Sequence, residues 1–258
     1  MLTVYVGWDS KEPEAFDVCR FSIEEYASIP VSVIPLKRQQ FVERKLYWRE
    51  PDSRDSTEFT ITRFMVPWLN GYEGKAIFCD CDFLFETDIK ELIDQFDKTK
   101  AVQVVKHDYA PKEKTKFLGH EQHIYPKKNW SSLVMWNCGH ESNRRVSLDV
   151  INSKEPSYLH QFKWLEEDEI GELSHEWNWL EGHYQEPRDG SPKAIHFTRG
   201  GPWFEGYENV QYADRWLSAQ KRLEEQNEAS ITGKLDQRHH GISEPELEFR
   251  FNGARRIG

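Results

Sequence analysis

The sequence predicts an α/β domain with a mixed, mostly parallel sheet flanked by helices. Three observations carry that prediction. Short apolar segments of strand length recur, and each leads into a polar tip and then a stretch with helical period. One of them, Lys75 to Asp88 (KAIFCDCDFLFETD), holds two acids inside an otherwise apolar run. The 258 residues suffice for one large α/β core that buries roughly three quarters of the unfolded surface.

The chain opens on LTVYVG, Leu2 to Gly7, an apolar strand that ends at Trp8, Asp9 and Ser10. A helix is expected from Pro13 to Ala27, because proline suits a first helical turn. In open α/β sheets ligands gather at the carboxyl ends of strands, so Asp9 is a candidate site residue. No glycine-rich phosphate loop follows, so any phosphate must be neutralised by other means. Val31 to Pro35 reads as a second strand. Phe41 to Thr57, charged and rich in turn formers, reads either as a flap over a site or as a solvated loop. Phe59 to Leu69 is helical in pattern, with Arg63 inside it and Pro67 as an expected kink.

After the acidic stretch a helix is expected from Asp88 to Asp97, capped by Thr87 or Asp88, and then a strand from Ala101 to Val105. Pro111 to Trp130 is polar. Its His120-x-x-His123 has the spacing of metal ligands, but with no third ligand nearby it reads as surface. Ser132 to Trp136 is another strand, and Val146 to Ile151 and Tyr158 to Leu165 are helical. The acidic run Glu166 to Glu169 follows. Ala194 to Phe197 is the last clear strand, followed by the Gly200-Gly201-Pro202 turn. A helix is expected from Asp214 to about Ala229, with a poorly ordered tail from about Ile231.

The acidic stretch is the chemical centre of this pattern. Side chains alternate across a strand, so Asp80 and Asp82 share one face, and Cys79 and Cys81 the other. Two carboxylates held that close repel and are costly to desolvate, unless a cation lies between them or one takes a proton. The plainer alternative, a turn former or helix cap, fits Asp88 better, since Asp80 and Asp82 come before the cap and inside the apolar run.

Composition narrows the partners. A formal net charge of -10 and a pI near 5.5, with no basic stripe, argue against a nucleic-acid surface. Mean hydropathy is -0.79 and no apolar run approaches membrane length, so no transmembrane segment is expected. The start MLTVYVGWDSKEPE lacks a basic region of the signal-peptide kind, which predicts a cytoplasmic protein. Cys19, Cys79, Cys81 and Cys138 form no framework and are expected as buried free thiols. Aromatic residues make up 14% of the chain, including 10 Trp, a supply of faces suited either to a core or to sugar rings.

Four segments in order resemble one family. The D-x-D strand preceded by RFMVPWL, the opening VGWDS, the block EEDEIGELSHEWNW and the late IHFTRGGPW are together similar to the metal-dependent GT-A glycosyltransferases. The likeness is greatest to family 8 and its bacterial relatives, over roughly Leu2 to Tyr207. It implies the Rossmann-like GT-A fold, with residues 1–220 as the catalytic domain and 221–258 as a C-terminal helix and polar tail. It implies transfer of a sugar from a UDP-sugar to a carbohydrate or other hydroxyl acceptor, with Mn2+ or Mg2+ and with retention of configuration.

The same resemblance assigns residues. Asp9 falls where the family contacts uracil, and Arg63 where an arginine approaches the donor. Asp80, Asp82 and His196 fall on the metal ligands, with Asp80 also facing the donor. The family's lysine before Pro-Trp is Gly201 here, which leaves Arg199, with Gly200 in the same turn, to meet the diphosphate. The family's F-N-S-G-V block reads WSSLVMW, so its Asn position falls on Ser131. By likeness to a D-Q-D segment, Asp168 takes the catalytic place beside the transferred sugar. Two alternatives stand beside this reading: a haloacid-dehalogenase-like phosphatase, which also uses D-x-D, and a sugar- or nucleotide-binding protein of this fold without turnover.

Overall fold

The computed structural model describes residues 1–50, 52, 55–108 and 126–236; His120, His123 and the tail 237–258 lie outside the described residues. The opening unit is β1 (Leu2–Gly7), α1 (Pro13–Tyr26) and β2 (Val31–Leu36). Pro13 starts α1, and Phe16, Cys19 and Ile23, spaced three and four apart, bury its inner face. A short α2 (Arg38–Glu43) follows, then a 3₁₀ turn, Thr62–Met65, that runs into α3 (Val66–Leu69). Next come β3 (Lys75–Cys79), β4 (Phe83–Phe85), α4 (Lys90–Ile93) and β5 (Val102–Val104). The remaining strands are β6 (Leu133–Asn137), β7 (Ile170–Glu172), β8 (Trp179–Leu180) and β9 (Ala194–His196). Between β6 and β7 lie α5 (Leu148–Ser153) and α6 (Pro156–His160), and α7 (Ala213–Asp236) ends the described chain.

The main sheet has six strands in the order β2-β1-β3-β6-β5-β7, and a second sheet has three, β4-β9-β8. In the main sheet β6 runs antiparallel to both of its neighbours, while the other pairings are parallel. The sheet grows from β1 to β2 on one side and to β3 on the other. Open α/β sheets form their ligand crevice at such a reversal, which here lies at the carboxyl ends of β1 and β3.

Several expectations are corrected. KAIFCDCDFLFETD is not one strand: β3 stops at Cys79, the chain turns through Asp80-Cys81-Asp82, and Phe83 begins β4 in the other sheet. Both halves are apolar because both are buried, which is why they read as continuous. Pro67 stands in the first turn of α3, so it begins a helix instead of kinking one. The helix expected over Asp88 to Asp97 contracts to α4, with Asp88 Oδ1 accepting from the Lys90 N–H at 2.9 Å in the manner of a cap. The stretch expected as a flap begins inside α2 and contains the buried Tyr47. The helix expected over Tyr158 to Leu165 ends at His160. The last helix continues to Asp236 and runs unbroken past residue 220. All four cysteines are free and buried, as expected.

The tryptophans of the EEDEIGELSHEWNW block are core. Trp177 and Trp179 are fully buried, so neither offers a face to a sugar. Burying two indoles stabilises this segment by several kcal/mol, on the order of 3 kcal/mol for each large side chain.

Candidate functional site

The acidic turn sits at the crevice because backbone bonds fasten it to both sheets. The Asp80 N–H donates to Ser132 O at 2.9 Å, beside β6, and Asp82 O accepts from the Phe197 N–H at 3.0 Å, beside β9. Cys81, almost fully buried, anchors the turn from below. Phe83 pairs with His196 across β4 and β9, and the two rings stack at 4.4 Å. The register of the small sheet therefore delivers His196 to the two aspartates.

Asp80, Asp82 and His196 offer ligand atoms that all lie within 4.8 Å of one another. Asp82 Oδ1 is 3.3 Å from His196 Nε2, and that histidine is 2% exposed. Asn178 decides the tautomer. Its Nδ2 donates to Asn129 O (3.2 Å) and Ser132 Oγ (2.9 Å), which fixes the amide with Oδ1 toward His196. His196 Nδ1–H then donates to Asn178 Oδ1 at 2.8 Å, leaving the Nε2 lone pair facing Asp82. Two acceptors facing one another at that range require a proton or a cation between them. Burial, together with Asp82 and against the pull of Arg63, pushes the Asp80 carboxyl up to about 6. An acceptor-only set of two carboxylates and one imidazole fits a hard divalent cation such as Mn2+ or Mg2+.

The other expected residues divide. Arg63 is buried, with Nη1 2.7 Å from Asp80 Oδ1 and 3.0 Å from Ser131 O, and with Nε on Thr60 O at 3.1 Å. It holds Asp80 in place from behind. Asp9 stands at the tip of β1 as expected, but its carboxylate accepts from the N–H groups of Lys11 and Glu58, both at 2.9 Å. It thus ties residue 58 of the long connection to the first strand. Arg199 is engaged by the buried Glu181, with Nη2 at 2.8 Å from Oε2 and Nε at 3.1 Å from the same oxygen. Gly200 adopts φ +118, and its N–H donates to Phe197 O. Ser131 Oγ lies 2.8 Å from Nδ1 of the partly buried His160.

Asp168 is not brought to this group. It precedes β7, and the register places Ile170 beside Val102, Val102 beside Trp136 and Trp136 beside Ala76. Asp168 therefore lies at the end of the strands opposite to Asp80, three strands away. It is exposed, and its carbonyl accepts from Lys100 Nζ at 2.7 Å.

Three residues escaped the sequence reading. Asn178 is hidden between two tryptophans, and only its place as the one polar residue in a buried aromatic triplet could have signalled it. Glu12, just before α1, is 3% exposed. Burial, with Asp82 and Asp9 close by, pushes its carboxyl up to about 8, and Trp203 Nε1 donates to its Oε2 at 3.1 Å. His107, past the end of β5, is buried with Nδ1 2.9 Å from Tyr184 Oη; burial and the neighbouring His196 press it down to about 3, so it stays neutral.

No family model matches the chain. Protein CDI of Arabidopsis thaliana is 44% identical over 227 residues, which is 87% of this chain and 88% of that protein. Among solved structures, the chain superposes on the bifunctional glycosyltransferase WbbM with a TM-score of 0.60 at 15% identity, over 85% of this chain and 49% of WbbM. GlyE of Streptococcus pneumoniae TIGR4, a glycosyltransferase, gives 0.56 at 13% identity over 89% of this chain and 64% of GlyE. The galactosyltransferase LgtC, solved with donor and acceptor sugar analogues, gives 0.52 at 12% identity over 86% of this chain and 96% of LgtC. The chain thus spans about half of WbbM and nearly all of LgtC. At these identities the likeness shows the fold: a GT-A-like mixed α/β domain with helices flanking a mostly parallel sheet. No helix among the described residues is long and apolar enough to cross a membrane.

Proposed function

The chain belongs to the same family as Protein CDI of Arabidopsis thaliana, and from that premise we propose that it is a metal-dependent glycosyltransferase. It takes a sugar from a nucleotide-sugar, a UDP-sugar by the family 8 resemblance, and passes it to a hydroxyl of a carbohydrate or other acceptor. The observation that carries this reading is the ligand set Asp80, Asp82 and His196 at the crevice of a fold shared with glycosyltransferases. A divalent cation there would supply Lewis-acid stabilisation of the departing diphosphate.

The chain's own residues have distinct parts in this scheme. Asp80 and Asp82 would hold the cation through oxygen and His196 through Nε2. Asn178 fixes the His196 tautomer that allows this, and Arg63 keeps Asp80 aimed by an ion pair made on the side away from solvent. By the family 8 resemblance Asp9, just past the end of β1, would face the nucleobase. Retention of configuration follows from the family 8 resemblance by front-face attack, in which the acceptor hydroxyl's proton passes to the leaving phosphate oxygen.

A second reading, a sugar-nucleotide-binding protein without turnover, is favoured by one observation. Gly201 replaces the family's lysine, and the guanidinium of Arg199 is held by Glu181. Incubation with a panel of UDP-sugars and Mn2+, with and without acceptor sugars, separates the two. Release of UDP that depends on Mn2+ and is lost in Asp82→Asn supports the transferase. Mn2+-dependent UDP binding with no release of UDP from any donor supports the binding protein, and the absence of any Mn2+-dependent UDP binding removes both.

A further inference from the structure

Glu12 is a buried carboxyl that the scheme above does not use. It joins three segments distant in sequence: the start of α1, the acidic turn and the Gly200-Trp203 turn. On one side it meets the Cys81 thiol, inside the acidic turn. On the other it accepts from Trp203 Nε1–H at 3.1 Å, a bond across 191 residues. The Trp203 ring packs edge-on to Phe197 at 5.8 Å and against Trp216 at 5.1 Å, so the indole is seated by β9 and α7 as well.

The missing lysine of the Pro-Trp motif belongs to the same feature. A Cβ built on Gly201 would lie 2.1 Å from the Trp203 ring, closer than any side chain tolerates. The indole folds back across Gly201 to reach Glu12, and only glycine leaves room for it. A lysine at 201 and the Trp203–Glu12 bond are therefore mutually exclusive in this turn. Its other end is also fixed, because Arg199 is gripped by Glu181 and a Cβ on Gly182 would lie 2.1 Å from the Arg199 guanidinium.

We infer that Glu12 is a positioning residue, which through the Trp203 indole clamps the Gly200-Trp203 turn against the acidic turn and so sets the ground on which a metal-bound diphosphate rests. The inference rests on the proposed function for its ligand, and on the Glu12–Trp203 bond for its geometry. A clamp of one buried hydrogen bond predicts that its loss weakens ligand binding by about threefold to tenfold.

The test uses the full chain and the variants Glu12→Gln, Glu12→Ala, Trp203→Phe and the double variant Glu12→Ala/Trp203→Phe. Two quantities are read: the Nε1–H resonance of Trp203, identified by its absence in Trp203→Phe, and the dissociation constant of UDP in the presence of Mn2+. In Glu12→Ala the indole resonance should move toward the solvent-exposed value and UDP should bind more weakly. Glu12→Gln, whose amide oxygen still accepts from the indole, should keep both within about twofold. Trp203→Phe should match Glu12→Ala, and the double variant should be no weaker than either single. An unmoved resonance or undiminished affinity in Glu12→Ala, or additive losses in the double variant, overturns the clamp. If the wild-type chain binds no UDP with Mn2+, the proposed function fails, and Mn2+ alone becomes the affinity probe by which the clamp is judged alongside the indole resonance.

Discussion

Two acid-rich segments lie at opposite ends of the strands of the six-stranded sheet. Asp80 and Asp82 stand where β3 leaves the main sheet for the small one, flanked on both sides by fully buried residues. Their neighbours are Arg63, His196 and Glu12, and burial holds the Asp80 carboxyl near 6. Glu166 to Glu169 stand before β7, where solvent reaches them. There the acids serve the backbone: Glu169 Oε2 accepts from the Glu166 N–H at 2.9 Å in a capping box, and Glu169 Oε1 accepts from Ser142 Oγ. Against a burial that would raise it, the hydrogen bonds from Ser142 and the Glu166 N–H, with His140 and Arg145 close by, keep the Glu169 carboxyl below the usual range, the reverse of Asp80. Number of acids does not separate a ligand set from a solvated run. What separates them is which end of the strand they occupy, and whether apolar residues on both sides forbid the charge from turning outward.

The contrast can be broken most sharply at Asp82. Asp82→Asn should lower Mn2+-dependent transfer by about a thousandfold or more, since it removes a charged ligand from a three-residue set; steady-state release of UDP measures it. Asn178→Leu, which keeps the volume and removes the acceptor that orients His196, should weaken Mn2+ affinity by about tenfold to a hundredfold with the fold retained. Titration calorimetry alongside circular dichroism reads both quantities.

The raised Asp80 carboxyl gives a pH test with a definite sign. Its folded value near 6 lies above the unfolded value, so the metal-free fold is favoured by this group in acid, and that contribution is lost as pH rises through about 6. Metal binding needs the ionised form, so Mn2+ affinity should fall by about fivefold from about pH 6 to about pH 5. A flat affinity across that range would mean that Asp80 is not a ligand. The smallest effect is expected at the other end of the strands: Asp168→Ala should leave Mn2+ and UDP affinity and transfer within about twofold, because an exposed side chain before the start of β7 lies away from the cluster.

The acidic half of the Asp80, Asp82 and His196 cluster was legible because its signal is local, and His196 was reached through the resemblance of IHFTRGGPW. Two acids inside an apolar run contradict burial unless something compensates them, and His196 is a polar interruption in a short strand followed by a glycine turn. The alternation of strands and helices was equally open to reading. The parts that were not legible depend on contacts far apart in the chain. β7 is three residues long, IGE, and its pairing with β5 sets Asp168 at the end of the strands away from Asp80, while Asn178 is delivered to His196 by the two-residue β8, which pairs with β9. Glu12 resembles any acid at a helix start until Trp203, far along the chain, arrives beside it. The break between β3 and β4 was hidden because each half is buried, and apolar runs do not say which sheet they join.

The most direct test of the account is a titration of Mn2+ into the full chain near neutral pH, followed by electron paramagnetic resonance of the free ion, with and without UDP, in the wild type and in Asp82→Asn, His196→Ala and Asp168→Ala. The account predicts a single saturable site in the wild type, tightened by UDP, kept in Asp168→Ala, and lost or weakened by at least about tenfold in Asp82→Asn and His196→Ala. Equal Mn2+ binding in wild type, Asp82→Asn and His196→Ala would contradict it, as would loss of the site in Asp168→Ala alone.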